Sequence, residues 1–79
     1  MDLQELRGQI DKIDAAIVDL YEKRMGICEK VAEYKIETGK QVLDRQREAN
    51  KLAAVSALAH DEFNKRGVEE LFEQIMSMS

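Results

Sequence analysis

Proline and tryptophan are absent from this 79-residue sequence, and it contains only four glycines, one cysteine and one histidine. Because proline and glycine are the residues that most disfavour helix interiors, their scarcity among strong helix formers predicts an all-α protein. A single cysteine excludes an intrachain disulfide framework. One cysteine and one distant histidine also argue against a metal site or a Cys–His nucleophile, so we predict neither metal nor cofactor and interpret Cys28 as a small packed residue.

The sequence also lacks a dominant basic charge and a long apolar run. Its formal net charge is −4, and 35% of its residues are charged. Nucleic-acid-binding domains usually display a basic face or an aromatic platform for bases, so we predict no nucleic-acid partner. No segment has the length of a membrane span or the pattern of a signal peptide, which predicts a cytoplasmic protein without a membrane partner. The length predicts one small domain, residues 1–79.

Apolar periodicity predicts three helices. The first runs from about Leu3 to Thr38, with Gly39 as its C-cap. Asp44 is a suitable N-cap for the second helix, which ends near His60. The third carries an apolar stripe in its second half, and the polar stretch 61–67 either forms its start or links it to the second helix.

The first helix carries a stripe of apolar residues, called here the apolar seam: Leu3, Leu6, Ile10, Ile13, Ile17, Leu20, Ile27, Val31 and Tyr34. A helix of this length extends for about 54 Å, and two short helices laid along it would leave most of the seam wet. The threes-and-fours spacing suits packing against another long helix. We therefore predict an intertwined homodimer of three-helix subunits.

Two cations interrupt this pattern. Arg24 occupies the next slot of the seam after Leu20, and Lys35 lies three turns further at nearly the same azimuth. A cation in an apolar stripe is costly unless it is paired, which favours an anionic ligand. Carboxylates of neighbouring helices, or side chains that extend to water, would satisfy the same cations and remain an alternative.

The second helix opens with further charges, Asp44-Arg45-Gln46-Arg47-Glu48. Arginines in a first helical turn oppose the helix dipole, so either a ligand or ordinary solvated ion pairs must account for them. We assign Arg45 to the solvated start of the helix. Arg7 lies about 100° from Arg24 around the first helix, so the two could serve one pocket only across a dimer.

These residues together resemble a known family. Four segments, taken in order along the chain, resemble the all-helical, AroQ-class chorismate mutases. They are Leu6-Arg7-Gly8-Gln9-Ile10-Asp11, Lys23-Arg24, Val31-Ala32-Glu33-Tyr34-Lys35 and Val42 to Glu48. The resemblance implies an intertwined dimer that converts chorismate to prephenate in phenylalanine and tyrosine biosynthesis. It covers nearly the whole chain.

The resemblance also implies roles for individual residues. Arg7 is expected to reach the substrate across the dimer, and Arg24 to bind a substrate carboxylate. Lys35 would contact the ether oxygen, and Arg47 is the matching second-helix arginine. The remaining matches are residues near the ring hydroxyl or at the end of the third helix: Asp44, Glu48 and Ser79.

The sequence departs from the family at its end. A glutamine or glutamate usually follows the serine by just over one turn, but here the sequence stops at Ser79. Either the native chain continues, with a fused aromatic-biosynthesis domain as one possibility, or this copy lacks that donor. The alternative function is a non-catalytic dimerisation or regulatory module with a degenerate metabolite pocket.

Overall fold

Three α-helices form the structure of this chain. A computed structural model describes residues 2–39 and 45–79, in which the helices are α1 (Leu3–Thr38), α2 (Arg45–Ala57) and α3 (Glu62–Met78). This confirms the predicted all-α class and the three-helix subunit with one long N-terminal helix. The chain divides into two compact units, Met1–Thr38 and Gly39–Ser79, which are described separately. The homodimer and the single domain 1–79 stay predictions.

Both ends of α1 are capped, and the C-terminal cap at Gly39 is the one that the sequence predicts. The Asp2 carboxylate accepts a hydrogen bond from the Gln4 amide at 2.9 Å, which satisfies one of the unpaired N–H groups at the helix start. At the other end the Thr38 hydroxyl donates to the Tyr34 carbonyl at 2.9 Å. Gly39 then adopts φ 73°, the left-handed conformation that glycine tolerates best and that commonly ends a helix.

The apolar seam of α1 is exposed. Ile13 is 60% exposed and Leu20 is 64% exposed, and no apolar side chain among residues 2–39 and 45–79 is fully buried. A contiguous apolar stripe in contact with water is unfavourable and usually marks an interaction surface. The seam therefore has the character of an interaction surface.

In the second unit, Asp61 begins α3. Its carboxylate accepts hydrogen bonds from the Asn64 backbone amide at 2.7 Å and from the Asn64 side chain at 3.0 Å, which is the geometry of an N-cap. The polar stretch 61–67 thus forms the start of the third helix, which decides between the two possibilities that the sequence allows. The second helix ends at Ala57, slightly before the predicted His60, and Asp44, its predicted N-cap, lies outside the described residues.

A polar contact joins α2 to α3. The Ser56 hydroxyl donates a hydrogen bond to Glu69 Oε1 at 2.8 Å. Ser56 is 6% exposed and is the one buried residue in the described part of the chain, while Glu69 is half-buried. A hydrogen bond to a charged acceptor contributes more than one between neutral groups, so this contact helps to hold α3 against α2.

We expect Ser56→Ala to destabilise the protein by about 1–3 kcal/mol, because it leaves a sheltered carboxylate without its donor. The measurement is urea unfolding at fixed protein concentration. Ser77→Ala is the matched control, since the exposed Ser77 hydroxyl donates only to a carbonyl of its own helix at 2.8 Å. Equal losses of stability for the two variants would contradict a specific role for the Ser56–Glu69 contact.

Candidate active site

The two cations predicted on α1 lie on its more sheltered face. Apart from the adjacent Arg24 and Met25, the half-buried residues in the second half of this helix recur every three or four positions: Tyr21, Arg24, Met25, Cys28, Ala32 and Lys35. Ile27 and Val31, which belong to the apolar seam, are 62% and 46% exposed. The basic pair therefore lies within the seam's arc of α1 but is less exposed than its apolar neighbours, a difference in burial that periodicity alone did not show.

Arg24 and Lys35 follow the same line along α1. Eleven residues separate them, which corresponds to about 16 Å along the axis and about 20° of rotation. The Arg24 guanidinium donates from Nη1 to Cys28 Sγ at 3.8 Å, one turn further along the same face. Cys28 is a half-buried free thiol that accepts this hydrogen bond from Arg24. This face of α1 thus presents the Arg24 guanidinium and, about three turns further along, the Lys35 ammonium.

On α2, Arg47 and Glu48 are adjacent, with Arg47 exposed and Glu48 half-buried. Arg47 lines an open depression of about 380 Å³, together with its neighbour Gln46 and with residues one or two turns further along the helix: Asn50, Lys51 and Ala54. Inside it the Gln46 amide donates to Asn50 Oδ1 at 2.9 Å. The depression contains both cationic and amide groups.

Lys51 was missed by the sequence analysis. It lies four residues after Arg47 and three after Glu48, so all three occur on one side of α2. This spacing was visible in the sequence. The half-buried state of Lys51, by contrast, depends on side-chain packing and is not visible in the sequence.

The other predicted site residues take different positions. Arg7 is exposed near the start of α1. Ser79 caps α3, where its amide donates to the Met76 carbonyl at 3.3 Å and its hydroxyl to the Ile75 carbonyl at 2.6 Å. Asp44 lies outside the described residues. The roles of all seven predicted site residues stay predictions at this point.

The described residues, 2–39 and 45–79, contain neither a metal-binding cluster nor a membrane-spanning helix. No group of three or more histidine, cysteine or acidic side chains there could hold a metal ion. Within the same residues, no helix has the length and apolar character needed to cross a membrane.

Comparison with known proteins gives one match. The family model described as chorismate mutase type II matches residues 6–79. Neither the curated proteins nor the solved structures gave a match. The matched range contains every predicted site residue, from Arg7 to Ser79.

Proposed function

Because this chain belongs to the chorismate mutase type II family, we propose that its catalytic groups are charged residues of α1 and α2: Lys35, Arg24, Arg47 and Glu48. The activity is that of an isomerase, which converts chorismate to prephenate in aromatic amino acid biosynthesis. The family match over residues 6–79 carries the assignment of function. The arrangement of Arg24 and Lys35 on one half-buried face of α1 supports the choice of residues.

The reaction is an intramolecular rearrangement. The ether C–O bond of chorismate breaks while a new C–C bond forms, and no atom, proton or electron is gained or lost. The enzyme must therefore hold a flexible dianion in a compact reactive conformer and stabilise the negative charge that grows on the ether oxygen. Neither task requires a nucleophile or a cofactor, because charged side chains can perform both.

Lys35 is the residue that we assign to the ether oxygen. An ammonium group is a compact charge with three donors, and it suits a single oxygen that becomes more negative in the transition state. Lys35 is half-buried at the end of α1, so its charge is screened less by solvent than that of a fully exposed lysine. Its interaction with the substrate strengthens as the reaction proceeds, which is the condition for accelerating the chemical step.

The arginines are assigned to the substrate carboxylates. A planar guanidinium binds a carboxylate through two parallel hydrogen bonds, which fixes orientation as well as position. Arg24 and Arg47 provide these groups from α1 and α2. Glu48 and Asp44 are assigned to the ring hydroxyl, and Ser79 to a further polar contact with the substrate.

The active enzyme is proposed to be a homodimer in which Arg7 reaches the substrate bound by the partner copy. The exposure of the apolar seam supports a second long helix packed against α1. The rotation of about 100° between Arg7 and Arg24 on α1 favours two different pockets over one. A two-fold axis then produces two equivalent sites. Cytoplasmic location and a fused domain stay predictions.

We expect purified protein of residues 1–79 to consume chorismate and to release prephenate. We expect Arg24→Ala to lower kcat/KM about 10–100-fold, because it removes a charged hydrogen-bond donor. The assay follows chorismate loss and identifies the product. Lys23→Ala is the matched control, because the neighbouring Lys23 pairs with Asp19 at 3.0 Å and is 68% exposed. Absence of turnover, with chorismate still bound, would favour the non-catalytic module.

A further inference from the structure

Lys51 lies where a substrate held by Arg47 and Glu48 would meet it. On α2, each residue turns by about 100°, so Lys51 falls about 40° from Arg47 and about 60° from Glu48, within the arc between them. It is about 6 Å further along the axis than Arg47, which is one helical turn. We propose that Lys51 is a further substrate-binding residue, which binds a carboxylate of the dianionic substrate; this rests on the proposed function.

The surroundings of Lys51 favour an anion. Its side chain is half-buried, and it makes no hydrogen bond or ion pair with any residue that the structure describes, unlike Lys23 and Lys65, which pair with acidic residues of their own helices. Like charges four residues apart on a helix, here Arg47 and Lys51, repel each other. Glu48 is within reach by spacing but does not pair with Lys51 in the structure. A bound carboxylate would relieve this repulsion.

The depression on α2 provides donors on both sides of such an anion. Lys51 and Arg47 line it together with Asn50. The side-chain oxygen of Asn50 accepts a hydrogen bond from the Gln46 side-chain amide. The NH₂ group of Asn50 is then the part of this side chain that can donate to a ligand. An ammonium, a guanidinium and an amide donor suit a carboxylate of a small organic acid. Chorismate and prephenate both carry two such groups.

The test compares Lys51→Met with Lys65→Met. Both variants remove one half-buried lysine charge from the second unit, but Lys65 pairs with Glu62 at 4.0 Å on α3 and lies outside the depression. We expect Lys51→Met to raise KM for chorismate about tenfold and to change kcat less than about threefold, since a carboxylate contact acts equally on substrate and transition state. Lys51→Arg should keep KM close to that of the unchanged protein, because it retains the charge.

Calorimetric binding of prephenate provides a readout that does not depend on turnover. We expect Lys51→Met to weaken prephenate binding by a factor similar to its effect on KM, and Lys65→Met to leave it unchanged. If the unchanged protein binds prephenate but shows no turnover, the proposed function fails. The prephenate affinities of the variants then still test whether Lys51 binds the ligand. Equal KM and equal prephenate affinity in the two methionine variants would overturn the proposal, as would a protein that binds no prephenate.

Discussion

Replacing Lys35 with alanine is expected to lower kcat about 10²–10³-fold, with a much smaller change in KM, because this residue is assigned to charge that develops only in the transition state. Removing a preorganised donor of this kind raises the barrier without abolishing substrate binding. Steady-state kinetics with chorismate measures both parameters. The loss of kcat is the signature that separates Lys35 from residues that only hold the carboxylates.

Two further variants make this result specific. Arg47→Lys should lower kcat/KM by only about tenfold, because lysine keeps the charge and loses the bidentate geometry. Lys30→Ala is the matched control on α1, since Lys30 is exposed and lies about 140° around the helix from Lys35. If Lys35→Ala and Arg47→Lys lost similar fractions of kcat, the proposed division between ether oxygen and carboxylates would be wrong.

A heterodimer of Arg7→Ala and Lys35→Ala subunits is expected to recover about half of the activity of the unchanged dimer, although each homodimeric variant is nearly inactive. If Arg7 acts across the interface, one site of this heterodimer combines the intact Lys35 of one copy with the intact Arg7 of the other. The second site then carries both substitutions. Two affinity tags allow the mixed dimer to be purified before kinetic assay.

If Arg7 serves its own subunit instead, the expected activity of the heterodimer is different. If Arg7 acted within its own subunit, each site of the heterodimer would carry one substitution and the mixture would be as inactive as its parents. A control dimer that carries Lys35→Ala in both copies and the same two affinity tags reports the background. Sedimentation of each variant excludes dissociation as the cause of a low rate.

The helices could be predicted from local features of the sequence. The bounds of α1 follow from its periodicity and from Gly39, whose left-handed conformation ends the helix. The start of α3 was left open because a polar stretch is compatible with either a loop or a capped helix. The Asp61–Asn64 hydrogen bond decides it, and this N-cap pattern was present in the sequence.

The contacts between helices could not be predicted in the same way. The Ser56–Glu69 hydrogen bond joins residues 13 positions apart on different helices, and no periodicity indicates which serine becomes buried. Arg24 and Lys35 on α1 were singled out by helical periodicity, whereas the roles of the site residues came from a family resemblance whose pattern spans nearly the whole chain. Lys51 was missed because its half-buried, unpaired state depends on side-chain packing, which the sequence does not display.

The exposed apolar seam has a consequence for the stability of the protein at low concentration. If a second copy covers it, much of the folding free energy comes from association, and stability then depends on protein concentration by mass action. Dilution would lower the unfolding midpoint and the specific activity together, and refolding would become second order in chain concentration. A cell that makes this enzyme would then need a minimum number of copies before any of them is stable.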